Sequence, residues 1–193
     1  MDDEAIALFR TALTMAIEHH EPYPAMVLDG RWNMVMANQA MLRFFSLFID
    51  PFAALVAIGS PQEFQVARLC LSDKALKPYI CNWQELVGSF LQRARRALVV
   101  NPNDPLLPIL VREILTHPDA PDHWQQPSWT AAPAPAINME MEVNGTRYRM
   151  FTMMAHFGAP QNVTIEELSV ETFYPADEIT RTRLEDLARQ ASH

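Results

Sequence analysis

The sequence predicts an α+β fold: an antiparallel sheet of about five strands, a helical insertion between strands 2 and 3, and helices at both termini. Three observations predict it. Between Ile137 and Val143 apolar residues alternate with Asn138, Glu140 and Glu142, the period of a half-buried strand. Two pairs, Asp29-Gly30 and Asn144-Gly145, sit between short apolar runs and signal hairpins. Between those hairpins the apolar residues recur every three or four positions, as on helices. A lone hairpin is marginal in water, so both strand groups are expected to join one sheet.

The first segment is predicted helical. Ile6, Phe9, Leu13 and Ile17 form a stripe, and Asp2, Asp3 and Glu4 lie at the end where negative charge is favourable. Pro22 should end it, because proline lacks a donor and restricts the residue before it. Residues 24–29 and 32–37 are two short strands around Asp29-Gly30. Asn38 is the expected N-cap of a helix carrying Ala40, Leu42, Phe44, Phe45 and Phe48. Short helices are expected over 61–71 and 73–79. Asn82, with Glu85 three residues on, signals the start of a longer helix whose stripe is Leu86, Phe90, Ala94 and Ala97 and which stops near Asn101-Pro102. Asp104-Pro105 opens another, burying Leu107, Leu110, Val111, Ile114 and Leu115.

Pro118, Pro121, Pro127, Pro133 and Pro135 mark an irregular connector. Past it, the strand at 137–143 turns at Asn144-Gly145 into a returning strand, 147–157. That strand is apolar on both faces, as expected where a strand is covered on both sides. After Gly158-Ala159-Pro160 a third strand runs to about Tyr174, with Leu168 and Val170 on one face and Glu167, Ser169 and Glu171 on the other. Asp177 is the expected cap of a closing helix through Ile179, Leu184 and Leu187. Two strands, helices, then three strands is the chain order of a PAS-like domain, which encloses a cavity between sheet and helices.

Composition limits the function. The 193 residues make a single domain, 1–193, with residues 1–20 as a connector helix. A chain of this length buries roughly 70% of its unfolded surface and needs no disulfide or metal to fold. The net charge of -8 disfavours a nucleic-acid surface, which requires a Lys/Arg stripe to displace counterions. Arg93, Arg95 and Arg96 form the one basic run, expected to be a solvated helix face. Cys70 and Cys81 make no disulfide framework or zinc set and are expected to be small buried residues of a reducing compartment. The acidic start is no signal peptide, and no apolar run reaches membrane-spanning length, so a cytoplasmic location is expected.

Candidate chemistry is sparse. There is no Gly-x-Ser-x-Gly elbow, and neither Cys has an obvious His partner. His19 and His20 would point about 100° apart on a helix. His117, Asp119, Asp122 and His123 lie in the Pro-rich loop and are expected to be solvated. No catalytic residue, metal or cofactor is assigned. The stronger signal is Met, with 11 residues against 5 Gly. Met26, Met34, Met36, Met139, Met141, Met150, Met153 and Met154 all fall in predicted strands. Val and Ile suit a rigid sheet core better, whereas Met suits a surface that repacks around variable apolar shapes. Thr152 and His156 share a strand face with Met150 and Met154 and could orient a ligand.

Several stretches resemble one family. His20 to Asp29, Arg31-Trp32-Asn33 and Ala37-Asn38-Gln39-Ala40 are similar to the opening of the MmyB-like ligand-binding domain. So are Ala67 to Leu71, Asn82-Trp83 and Asn103-Asp104-Pro105. Phe157 to Pro160, Val163-Thr164, Glu167-Leu168 and Glu171 to Asp177 resemble its closing strand and helix. The resemblance spans about residues 15–188, in the family's order and spacing. It implies the PAS-like C-terminal domain of XRE-type helix-turn-helix transcriptional regulators, binding a small apolar ligand such as a fatty acid and acting as a homodimer. No helix-turn-helix precedes residue 20. Either it was cut away or the chain is a free-standing sensor, so DNA is expected as a partner only through a domain not present here. The family brings no catalytic residues. The candidate ligand-binding residues are therefore Met36, Met139, Met141, Met150, Thr152, Met154 and His156, with Phe90 and Trp83 from the helices. The alternatives are a dimerisation module without ligand, and a haem-type sensor or enzyme on the same frame, for which His156 is the candidate.

Overall fold

Five strands, β1 (Ala25–Leu28), β2 (Met34–Ala37), β3 (Ile137–Val143), β4 (Thr146–His156) and β5 (Ser169–Pro175), form one sheet in the order β2-β1-β5-β4-β3. Every neighbouring pair is antiparallel. The computed structural model describes residues 3–50, 53–54, 56, 65–126, 137–156 and 168–191. The expected helical residues 61–64, the second half of the Pro-rich connector and the start of the third strand lie outside them. The helices are α1 (Asp3–Glu18), α2 (Gln39–Ser46), α3 (Val66–Leu71), α4 (Trp83–Val100), α5 (Leu107–Leu115) and α6 (Glu178–Ala191), with single 3-10 turns at Lys77–Tyr79 and Asp122–Gln125. This is the predicted α+β, PAS-like arrangement. The late strand β5 lies between the two hairpins, so the sheet joins only when residues far apart in sequence meet.

The sheet has two unlike faces. Its inner face, with Met26, Leu28, Met139, Met141, Met150 and Phe173, packs against α2 to α5 to make the main core. Its outer face carries a smaller core, where Leu13 and Ile17 of α1 cover Ala25, Val27 and Val170. That cover reaches β1 and β5. The expectation that β4 is covered on both sides is therefore corrected. Phe151 stacks on Tyr174 at 5.2 Å on the outer face, and Met153 is 51% exposed. In β5 the expected split of Val170 from Ser169 and Glu171 holds, and it is the polar face that turns inward. Val170 faces α1, while Ser169, Glu171 and Phe173, in alternate register, face the core, and both polar residues are buried.

The two hairpin signals behave differently. Asn144 and Gly145 have φ of 51° and 72° and close the two-residue turn that their twist favours. Asp29-Gly30 makes no such turn; the loop runs over 29–33, and the positive φ, 59°, belongs to Trp32. Asp29 Oδ1 accepts from the Arg31 and Asn33 amides, closing a side-chain turn. The wider loop lets the Trp32 ring enter the core beside Phe90, 6.2 Å away.

Asn38 does more than cap. Its Oδ1 accepts from Met41 N, the predicted cap, and also from Ala25 N. Its Nδ2 donates to the carbonyls of Ile17 and Tyr23. Glu21 Oε1 adds a second acceptor at the helix end, taking the Ala40 amide at 2.7 Å. Asn82 goes the other way. It stands before α4 but makes no capping bond. Its Nδ2 donates to Asn138 O and its Oδ1 accepts from Glu140 N, so it pins α4 to β3 instead. α5 begins at Leu107, with Asp104 Oδ1 accepting from Leu106 N and Leu107 N. Asp177 caps α6 as expected, through Thr180 N.

Asn38→Ala strands three buried backbone groups and a part-buried one, so it is expected to lose about 3 kcal/mol or more of stability in urea unfolding. Asn82→Ala, whose site is more exposed, is expected to lose under about half as much.

Candidate functional site

The inner face of the sheet and the helices over it leave a space of about 30 Å³. That is room for roughly one or two water-sized groups. Four methionines line it: Met26 from β1, Met41 from α2, and Met139 and Met141 from β3. Phe44 and Phe45 of α2, Cys70 of α3, Phe90 of α4 and Phe173 of β5 close most of the rest. The wall is apolar except at Thr152 of β4 and Glu171 of β5.

These two polar groups sit on neighbouring strands. Thr152 pairs with Phe173, so Glu171, two residues back, is its diagonal neighbour on the same face. Thr152 and Glu171 are 3% and 5% exposed. The Thr152 Oγ1 is buried and makes no hydrogen bond of ordinary geometry, although it lies near enough to Glu171 to favour that group's charged form. Burial nevertheless pushes the Glu171 carboxyl above the usual carboxylate range, partly offset by the guanidinium of Arg93. The Cys70 thiol in the same wall is pushed up to about 12, chiefly by burial and secondarily by Glu171.

Of the residues expected from sequence, Phe90, Met139, Met141 and Thr152 line this space. Met150 is fully buried beside it in the same core. Met154 is half-buried, and Arg93 Nη1 approaches its Sδ at 3.8 Å. Trp83 packs elsewhere: its Nε1 donates to Cys70 O, and its ring lies 4.7 Å from His117. Met36 faces the other way, into the smaller core under α1, because it stands opposite Val27, whose side chain lies in that core. His156 is exposed at the end of β4, so the described wall contains no histidine.

Two other expectations are corrected. Cys81 is exposed: Ile80 bridges to Met141 and turns inward, which sends the next side chain outward. The arginine run is no solvated face. Arg93 and Arg95 are both pulled below the usual guanidinium range by burial, and Arg95 Nη2 donates to Trp124 O. His117 is also anchored, with Nε2 on Leu71 O and Nδ1 accepting the Asp119 amide. Among the described residues, no group of three His, Cys, Asp or Glu is placed to hold a metal. No described helix is long and apolar enough to cross a membrane.

The inner face of the sheet thus forms a Met-lined wall beneath a helical insertion. A family model of the MmyB-like transcription regulator ligand binding domain matches residues 9–187. The chain belongs to this family. It is thus a ligand-sensing regulatory domain, and the wall between sheet and helices is its candidate site. No curated protein matches the sequence.

Sequence reasoning missed Met41, Phe44, Phe45, Cys70 and Glu171. The first four lie on helices, and helical stripes look alike whether they face a cavity or a filled core. For Glu171 a signal existed: it shares its parity with Phe173, not with Leu168 and Val170.

The raised carboxyl has a consequence for stability. Folded Glu171 keeps its proton to higher pH than unfolded Glu171, so stability falls as pH rises between the unfolded and folded values. Glu171→Gln is therefore expected to gain stability relative to the parent as pH climbs above about 4, with no pH-dependent gain below it. Melting curves at stepped pH check this; an opposite slope would mean that charge pairing with Arg93 outweighs burial. A native-state alkylating reagent is expected to label Cys81 and spare Cys70 until the chain unfolds.

Proposed function

We propose that this chain is the ligand-sensing and dimerising domain of a cytoplasmic helix-turn-helix regulator, and that its ligand is a small apolar molecule of fatty-acid type held between sheet and helices. The observation that carries the reading is the four-methionine wall shared by β1, α2 and β3. Methionine changes shape at little cost, so such a wall can open around an alkyl chain. Burying ten methylenes would gain about 8 kcal/mol before ordering costs. The polar groups of the wall fit binding better than catalysis, and no enzymatic role is proposed.

The space of about 30 Å³ is far below the roughly 300 Å³ of an ordinary ligand pocket. Binding must therefore create volume by moving helices against the sheet. That requirement is what makes a sensor: a ligand that fits only the opened form shifts the population toward it. The change has a short route outward. Met41 lines the space, its amide bonds Asn38, and Asn38 bonds Ile17 at the end of α1. α1 in turn exposes Leu8 and Met15, 71% and 52%, which supports a second copy docking along it. DNA binding would belong to a helix-turn-helix domain joined through α1.

The small space also favours a second reading, a dimerisation module with a filled core. Native mass spectrometry separates the two. The sensor reading expects the purified chain to carry a hydrophobic adduct on a dimer, to lose it on delipidation, and to regain it with an added fatty acid. The filled-core reading expects a bare dimer and no thermal shift with any lipid.

A further inference from the structure

We propose that Arg93 takes the carboxylate of an acidic apolar ligand, and that Glu171 picks up a proton from water as that carboxylate arrives. The proposal rests on the sensor reading above and adds a regulation of the same site, by pH. Glu171 lines the space between sheet and helices. In the sheet it stands opposite Met154 of β4 on one side and Met26 of β1 on the other. Arg93 reaches this end of the space from α4. It lies one turn beyond Phe90, which lines the same space, and its Nη1 approaches Met154 Sδ at 3.8 Å. Its charge acts on Glu171, but no hydrogen bond joins the two, so none of its donors is spent on that carboxyl.

The charges around Glu171 decide what a bound anion must do. The groups that act on it are Arg93 of α4, Thr152 of β4 and Cys70 of α3. Thr152 is neutral, and the Cys70 thiol, pushed up to about 12, keeps its proton. His156, further along β4, is exposed. Arg93 therefore faces Glu171 as a lone cation among these groups. A bound carboxylate would set two anions against that one cation where burial already disfavours charge. One of the two has to be neutralised. Glu171 is fixed in the wall and already leans toward its neutral form, and once protonated it donates a hydrogen bond to the incoming carboxylate. The ligand is free to turn and present both oxygens to the guanidinium. The exchange balances: Arg93 offsets Glu171 before binding and the ligand afterwards, and a proton from water ends on Glu171. A bound state that holds one proton more than the free state is favoured as pH falls, so binding weakens as pH rises.

The test is isothermal titration of the delipidated full chain with decanoate and with decan-1-ol, from about pH 6 to 9, in buffers of unlike ionisation enthalpy. Decanoate is expected to take up as much as about one proton and to weaken by up to about tenfold per pH unit, while decanol takes up none and stays flat. Glu171→Gln should still bind decanoate, without proton uptake and without pH dependence. Arg93→Gln should lose about tenfold or more for decanoate and little for decanol, and Arg93→Lys should recover part of that loss. Should Arg93→Gln fail to fold, the parent and Glu171→Gln profiles decide. Decanoate that takes up no proton at any pH would overturn the proposal. So would an unchanged pH profile in Glu171→Gln, which would put the proton on the ligand, or an equal loss of both probes in Arg93→Gln. Binding of decanol alone would overturn it and leave the apolar-sensor reading standing. Binding of neither would overturn both.

Discussion

One buried amide organises the molecule. Asn38 uses its carbonyl oxygen and its amino group to hold four backbone groups from four places: the end of α1, the loop before β1, the first residue of β1 and the first turn of α2. A side chain 3% exposed cannot leave these bonds to water, so the four segments are positioned together or not at all. The consequence is mechanical. The small core under α1 and the large core over the inner face are otherwise separated by the sheet, and Asn38 joins them at its corner.

The candidate site sits on the other side of that junction and combines two opposed requirements. Its methionines and phenylalanines pack nearly to closure, which stabilises the unliganded fold. Its buried carboxyl, Glu171, is only partly offset by Arg93 and Thr152, which weakens it. A carboxyl and a hydroxyl buried under a wall of methionine cost the unliganded fold stability. Both features make sense together if the empty form is one of two states and a ligand supplies what it lacks.

The arginines show how tertiary context changes a residue's meaning. In sequence, Arg93, Arg95 and Arg96 look like a charged helix surface. In the fold, Arg93 reaches toward the carboxyl-bearing strand and Arg95 ties α4 to the carbonyl of Trp124. The long apolar stems make such burial tolerable, and the charged ends find fixed partners. Asn82 is a parallel case: its spacing to Glu85 imitates a capping box, but bonds to β3 offer it both a donor and an acceptor at once.

The sequence by itself determined the element types and their order. Period-two alternation at 137–143, the Asn144-Gly145 turn and the caps at Asn38 and Asp177 are local properties, set by backbone sterics and bonds between near neighbours. Of the methionines it marked, Met26, Met139 and Met141 line the wall. Only the tertiary structure decided which face of β5 looks inward, and so put Glu171 beside Thr152, left Met153 exposed and turned Met36 away from the pocket. The reason is that alternation tells which residues share a face but not which face is covered. That depends on where α1 lies on the sheet, and α1 is placed by Asn38 across a span of 21 residues.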